Sequence, residues 1–517
     1  MVDCHAGTVR FCRGFPSSLF GLEEESSNLL SYFFNPCVFA AHIKRYFFRT
    51  SEICNRSFSH FYRFELPWRK GKTDMVVHFR GTFIYSYNVF CRRIFCSLNM
   101  KNFVKCHKDR LFVIIILIFA IFIRFYNFPN RITFWSEQAR TLMVSANYIR
   151  EKPSFLGQEY FNRHDSNGHV LYSGALFNYI LVPILLASND PVVITVFFAL
   201  LNIATGFLIY WVTKRILNAW VGILSSIVFL FSDLMIYHSL FIWIYNFLPL
   251  VGVATVYLLY LYKRKQNAVI IFGLGLVSGF GFSLQILYLP IAAVVIAIAL
   301  WKKMKKFVHT LIFAFGFSVV NLPMIIFDLR HDLYHIRTLY QYLIDTIMGK
   351  SNAGISYYYF LPLWPILAIL LGWLLFRAFR FNRALGVVLL AVYLFLNLTS
   401  VKVNLNAPSG MPSGMKSSDV DLAARAIAND ADNTFNVAEV LDFDKRAYVL
   451  RYFVQFKYGK TPLGVEEYQN PGRLYVLSTK DYNFANSNVW ELTAGAPYKV
   501  SLLTDIDGGY TVYKLEK

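Results

Sequence analysis

A chain of 517 residues that is 56% hydrophobic and 18% aromatic is too apolar for a soluble protein, and its repeated long runs with few charges specify a polytopic membrane protein. Its formal net charge of +20 does not mark a nucleic-acid binder, because most Lys and Arg stand in short clusters between apolar runs, where they set topology. All seven cysteines fall before residue 107 and form no CxxC pair, which speaks against a thiolate metal or redox centre.

Across residues 1–99, aromatics, Cys, Arg and Ser mix without a sustained period of two or 3.6 and without a signal-peptide layout. Met100-Lys101-Asn102-Phe103-Val104-Lys105 then forms a basic lead into the first span. The expected start is therefore Met100. Residues 1–99 are read as a mis-called extension or a poorly ordered cytoplasmic tail, with no chemistry assigned.

About nine spans are predicted, near 111–125, 192–212, 219–237, 244–262, 268–288, 289–301, 307–326, 357–375 and 384–400. Some are shorter than the ~20 residues of a straight crossing. The basic groups Lys101/Lys105/Lys108/Arg110, Lys214/Arg215, Lys263/Arg264/Lys265, Lys302/Lys303/Lys305/Lys306 and Arg377/Arg380/Arg383 all fall on the cytoplasmic side if the spans alternate. That requires Leu171–Ser188, with Pro183 inside it, to be a re-entrant or interfacial helix. The outer face then holds the first loop 126–191, the junction 233–246, the turn 285–290, the loop 327–356 and the segment 401–517. Residues 100–400 form the membrane domain of a multi-pass plasma or inner-membrane protein.

In the terminal segment, Pro408–Gly414 reads as a linker. Helices are expected at Asp419–Ala428, with Ser418 as cap, and at Lys445–Tyr458. Strands are expected at Phe435–Leu441, Arg473–Ser478, Tyr498–Leu503 and Tyr510–Leu515. This is a small α/β extracytoplasmic domain.

Chemistry concentrates in Phe134-Trp135-Ser136-Glu137-Gln138-Ala139-Arg140, just after the first span. An acid at a membrane boundary is costly and is a functional candidate. Ser136 is placed to cap a helix Glu137–Arg150, whose dipole favours an anionic Glu137 able to accept a proton. The bland alternative is a dipole-stabilised helix start with Arg140 as the i+3 partner. His164, Asp165 and His169 are weak candidates for a divalent metal, the one cofactor considered. Asp233 and His238 read as a helix terminus reaching water. Trp243, Tyr245 and Tyr288 suit a sugar, a prenyl groove or an interfacial aromatic belt. Gly273, Gly275, Gly279 and Gly281 lie in an apolar helix and read as close packing, not a phosphate loop.

The order of features resembles the C-type (GT-C) glycosyltransferases, most of all glycosyltransferase family 39 with the protein O-mannosyltransferases and lipid A aminoarabinose transferases. Glu137-Gln138-Ala139-Arg140 fills the slot of an Asp-Gln-Ala-Arg element, with one methylene more. Ser173–Pro183 resembles a Gly-Pro-Leu-Tyr-Tyr-Tyr element, and Trp243–Pro249 a Trp-Asn-Pro element. Gln285-Ile286-Leu287-Tyr288 resembles Gln-Leu-His-Tyr, with Leu287 where the family has His. Pro323 with Phe327-Asp328-Leu329-Arg330-His331 matches a Pro…Phe-Asp-Leu-Arg-His element. The resemblance spans about residues 100–400.

It implies a polytopic helical fold and transfer of one sugar from a polyprenyl-phosphate donor to a cell-envelope acceptor, with inversion and Glu137 as base. Arg330, His331 and Arg337, after the seventh span, read either as a clamp for the donor phosphate or as side chains snorkelling toward lipid headgroups, with Asp328 orienting Arg330 in both. Gln138, Arg140, Tyr172, Tyr179, Trp243, Asn246, Gln285 and Tyr288 complete the expected substrate set. Membrane lipids are the other partner, and nucleic acid is not one. The rival classes are a carrier or flippase for a lipid-linked sugar and a catalytically silent scaffold.

Overall fold

The computed structural model describes residues 100–517 apart from 151–152, 302–305, 351–355, 401–402, 404–413 and 433. The expectations for residues 1–99 and, but for Gly414, for the linker lie outside the described residues.

All nine apolar stretches are helical. The first lies in α1 (Met100–Phe125). It is followed by the short α2 (Phe128–Arg131) and by α3 (Ser136–Arg150), which carries the Glu137 motif. Next come α4 (Leu176–Ala187), α5 (Pro191–Ile216), α6 (Ala219–Leu230) and α7 (Asp233–His238). The remaining apolar helices are α8 (Leu248–Lys265), α9 (Ala268–Leu284), α10 (Leu289–Leu300) and α11 (Lys306–Val320). After them come α12 (Leu322–Arg330), α13 (Tyr334–Ile347), α14 (Trp364–Phe381) and α15 (Arg383–Leu398).

Among the described residues, three helices are long and apolar enough to cross a membrane alone: Pro191–Ile216, Ile244–Lys265 and Tyr357–Phe381. A fourth span results if the pair α11 and α12, bent by 79°, counts as one. Of the rest, α1 has 26 residues and the others are shorter; the 12 residues of α10 extend only about 18 Å at 1.5 Å per residue.

Side chains in the connections punctuate these helices. Asp190 accepts from the Val192 N–H at 2.8 Å, Asn218 from Val221 at 3.0 Å and Asn267 from Val269 at 2.7 Å. Each satisfies a donor that a helix start leaves open. Proline opens α8, α10, α12 and α14, where its missing N–H costs nothing. At the bend between α11 and α12, the Asn321 amide donates to the carbonyls of Gly279 and Phe317 at 3.1 and 2.9 Å. In a dry interior these bonds replace water.

Arg124, at the end of α1, is completely buried. Its guanidinium donates to the Ala120 carbonyl at 3.2 Å, to Asn202 Oδ1 at 2.7 Å and to the Leu230 carbonyl at 3.0 Å. It thus ties α1 to α5 and α6. The glycine expectation holds for two of the four residues. A Cβ on Gly275 would stand 2.2 Å from the Phe313 carbonyl oxygen, and one on Gly279 2.6 Å from that of Phe317. Helices α9 and α11 therefore meet backbone to backbone. Gly273 has nothing nearer than a Leu258 methyl at 3.8 Å, and Gly281 faces the Tyr288 ring.

The first loop differs from its expectation. Residues 171–174, read as the start of an interfacial helix, belong to strand β2 (Val170–Gly174), antiparallel to β1 (Leu156–His164) with Glu159 opposite Tyr172. The helix proper is α4. Loop 327–356 is likewise organised by α13. In the terminal region, β3 (Phe435–Glu439), β4 (Arg473–Thr479), β5 (Lys499–Ile506) and β6 (Tyr510–Glu516) form a sheet of order β3-β4-β6-β5. The β3–β4 pair is parallel and the others antiparallel.

Helix α16 (Ser417–Asp430) packs against this region. Its start is secured by Asp419 Oδ2, which accepts from the Lys416 N–H at 2.8 Å; Ser418 lies inside the helix and is not its cap. The second expected helix is α17 (Tyr448–Tyr452), continued by a wider π turn over Phe453–Lys457. Helix α17 packs on α3. The Phe134 ring meets Tyr452 and Phe453 at 5.4 and 6.1 Å, and the Tyr452 hydroxyl donates to the Asn189 carbonyl at 2.9 Å.

The close approach of α9 and α11 sets a test. Gly275→Ala must displace backbone, and overpacking costs about 1–3 kcal/mol. Gly273→Ala meets open space and should be near neutral. Thermal unfolding of the two variants in detergent should separate them by several degrees, with Gly275→Ala the lower.

Candidate active site

Glu137 is positioned by a main-chain contact that precedes it. The Thr133 N–H donates to the Leu240 carbonyl at 2.8 Å, and Thr133 bridges Phe241 in parallel. This brings the start of α3 beside loop 239–247. Gln138 Oε1 then accepts from the Trp135 N–H at 2.9 Å, which closes the first turn as the returning half of a capping box. With both segments fixed, Trp243 Nε1 donates to Glu137 Oε1 at 2.9 Å.

The tryptophan is itself held. The Asn246 amide donates to the carbonyls of His238 and Phe241, and Asn246 Oδ1 lies 3.0 Å from His238 Nδ1. The His238 ring stacks on Trp243 at 5.5 Å and 9°. Tyr245, Tyr358 and Phe241 meet the indole edge-on at 4.6, 4.9 and 5.0 Å. Trp243 is 9% exposed, so these neighbours cover most of the ring while its Nε1 reaches the carboxylate. Tyr357 and Tyr358 belong to this aromatic wall although the sequence reading passed over them; the signal was the run Tyr357-Tyr358-Tyr359 at a span boundary.

Glu137 is exposed to solvent on one side, yet protein crowds it on the others. This crowding raises its carboxyl above the ordinary range, against the opposing pull of the Trp243 hydrogen bond and the Arg140 charge. Arg140 does not pair with Glu137. Its guanidinium binds Glu159 of β1 at 2.6 Å and lies 5.4 Å over the Tyr448 ring of α17. It also contributes to the field at Asp444, whose carboxyl burial pushes up to about 6. Glu159, Tyr448 and Asp444 were not legible as neighbours of the motif, because hairpin and terminal region meet only in three dimensions.

Other expected residues turn elsewhere. Gln138 is buried and its Oε1 is spent on the helix start. Gln285 and Tyr288 are buried; the Tyr288 hydroxyl lies 3.4 Å from Thr255 Oγ1, and Gln285 Nε2 has no acceptor among the described residues. The Tyr179 hydroxyl donates to the Ser154 carbonyl at 2.8 Å, and the carbonyl of half-buried Tyr172 lies 2.9 Å from His335 Nε2. Asp328 does not orient Arg330. It is buried, and its Oδ1 accepts from the His335 N–H at 2.7 Å, capping α13.

Arg330 is exposed and lies 5.4 Å over the Phe155 ring, next to β1. His331 is exposed and stacks on Phe327 at 4.1 Å. Arg330 therefore flanks one end of the hairpin strand that holds Arg140 through Glu159. No group of three His, Cys, Asp or Glu side chains suited to a metal occurs among the described residues. Asp165 instead accepts from the Asn167 and His169 N–H groups at 2.9 and 2.8 Å and pairs with the His169 ring at 3.0 Å, while His164 Nδ1 lies 3.2 Å from the Asp165 carbonyl. These contacts shape the hairpin turn.

The cap offers a check. Asp328→Ala removes a helix cap worth about 1 kcal/mol. Hydrogen exchange should quicken at the first amides of Tyr334–Ile347 and stay unchanged in α9.

No protein-family model matches the chain, and no curated protein sequence does. Solved structures do match. ArnT from Cupriavidus metallidurans bound to undecaprenyl phosphate is 10% identical, with a TM-score of 0.53 over 78% of this chain and 97% of that one. The apo form gives 11% identity and a TM-score of 0.51 over the same shares. The likeness shows the fold alone: the chain has the GT-C polytopic helical membrane fold, with a small sheet region at its C-terminal end.

Proposed function

We propose that the chain is a glycosyltransferase that moves one sugar from a polyprenyl-phosphate donor to a cell-envelope acceptor on the extracytoplasmic face, with Glu137 as base. The observation that carries this reading is an exposed glutamate in the first turn of a helix, its carboxylate held by Trp243 Nε1 at 2.9 Å, on a GT-C fold. The structural relative solved with undecaprenyl phosphate supports a polyprenyl phosphate as the lipid partner.

Glu137 takes the proton of an acceptor hydroxyl. The oxygen forms its bond to the anomeric carbon while the bond to the phosphate oxygen breaks, its electron pair leaving with the lipid phosphate. The attack comes from the face opposite the phosphate, so configuration inverts. Exposed Arg330, with His331 and Arg337, stabilises the charge gathering on the leaving group. Trp243 keeps the base ionised and aimed. Helix α3 adds the field of its N-terminus.

A carrier reading needs a coupling charge within the membrane. Glu137 lies outside the spans, and the two terminal guanidinium nitrogens of Arg124, the buried cation of the first span, are directed at Asn202 and two carbonyls. An enzyme is favoured on that ground.

In a transfer assay with purified protein and a polyprenyl-phosphate sugar, Glu137→Gln should lower the rate by about 10²–10⁴-fold, with Glu137→Asp retaining part of it. Full activity of the Gln variant would remove the assignment. A base works deprotonated, and crowding raises the carboxyl of Glu137. Activity should therefore fall with decreasing pH at a point above the ordinary glutamate range. Trp243→Phe removes a bond that favours the anion, so it should move that fall to higher pH.

A further inference from the structure

Helix α13 lies outside the predicted spans, yet it turns its apolar side outward. Ile336, Tyr340, Leu343 and Ile347 recur at the spacing that puts them on one helix face. All four are exposed, Tyr340 by 66% and Ile347 by 85%. The opposite face holds the polar groups, and protein covers it. His335 Nε2 lies 2.9 Å from the Tyr172 carbonyl, Asp345 Oδ2 accepts from the Ser166 N–H at 2.8 Å, and Tyr342 packs with Leu171 and Ile286. The helix is therefore fixed on the β1–β2 hairpin by its polar side, and no turn about its own axis can hide the apolar one. A contiguous apolar stripe of this kind marks a partner.

The surroundings select which partner. Along α11, Val308, Leu311, Phe315 and Val319 are exposed at the same kind of spacing, and on a helix of a polytopic membrane fold that row faces lipid. Past the 79° bend between α11 and α12 the exposed apolar positions resume, at Leu322 and Leu329 of α12 and at Leu333 before α13. The bend carries the chain away from the direction of the span and toward the membrane plane. Cations border the stripe: Arg330 before it, Arg337 at its edge and Lys350 after it are all exposed, against the single exposed carboxylate of Asp332 within residues 329–350. An apolar stripe with a tyrosine in it and Arg and Lys at its borders suits the boundary between acyl chains and anionic headgroups. A soluble partner could not follow the row down α11 into the bilayer.

We propose that α13 lies in the plane of the membrane, in the leaflet at which α11 ends. Ile336, Tyr340, Leu343 and Ile347 sit among the acyl chains. Arg330, Arg337 and Lys350 sit at the level of the lipid phosphates, where they favour anionic lipid. In the topology set by the basic clusters this is the outer leaflet. The hairpin then rests on the leaflet through the polar side of α13. This membrane contact is independent of the transferase reading.

The test uses the unaltered full chain in nanodiscs of phosphatidylcholine and phosphatidylglycerol, with a trace of phospholipid carrying a diazirine near the glycerol end of one acyl chain. After illumination, peptide mass spectrometry should find lipid adducts on the apolar stripe within residues 336–347, as on the span Tyr357–Phe381, and none on His335, Thr338 or Tyr342. Omitting phosphatidylglycerol should lower the α13 adducts about twofold or more and leave those on the span unchanged. Tyr340→Asp should cut the α13 adducts about fivefold or more, whereas Tyr340→Leu should keep them. Position 340 is exposed, so neither substitution enters the core, and the measurement on the unaltered chain stands without them. Four results overturn the proposal: adducts on the span with none on α13, a yield indifferent to phosphatidylglycerol, an Asp variant labelled like the wild type, or α13 adducts that vanish when two copies share a disc, as a dimer seam requires.

Discussion

The site depends on one hydrogen bond between two segments 106 residues apart, from Trp243 Nε1 to Glu137 Oε1. Crowding a carboxylate with protein favours its neutral form, and a neutral acid is no base. The indole donor and the Arg140 charge oppose that tendency, while the open side leaves room for a proton donor. Most of the surrounding architecture serves this bond. The Thr133–Phe241 bridge sets the spacing, Asn246 clamps the loop, and four rings lock the indole.

Arg140 does a different job from the one its spacing implies. It joins hairpin to terminal region by gripping Glu159 while lying on Tyr448, one turn from Glu137. The sheet region is thereby braced against the helix that bears the acid. Rings of Phe134, Tyr452 and Phe453 pack the same seam. Burying such side chains contributes roughly 1.5–3 kcal/mol each, more than the part-exposed ion pair. Packing therefore sets the placement, and the charges refine it.

The spans were legible because a long apolar run has few alternatives to a helix in lipid. The four terminal strands were legible from alternation and turn residues. Two elements were not. The β1–β2 hairpin hid because Leu171-Tyr172 leads straight into an apolar helix and reads as part of it. Helix α13 hid because its pattern is inverted: His335, Thr338, Tyr342 and Asp345 are buried while Ile336, Tyr340 and Ile347 are exposed. At the site, the motifs name Glu137, Arg140, Trp243 and Asn246, but not the side chains that surround them. Gln138 and Asp328 turn to main-chain N–H groups for one reason. A polar side chain near a helix start satisfies local N–H groups before it meets any ligand.

The central claim is that the open side of Glu137 receives the anomeric carbon of a lipid-linked sugar. A cryo-EM structure of the chain with a non-hydrolysable polyprenyl-phosphonate sugar addresses it directly. The account predicts the sugar beside Glu137 with the phosphonate on the far face toward Arg330, leaving space for one hydroxyl between carboxylate and anomeric carbon. A donor seated with its phosphonate between the sugar and Glu137, or with its sugar beyond reach of that carboxylate, would contradict it.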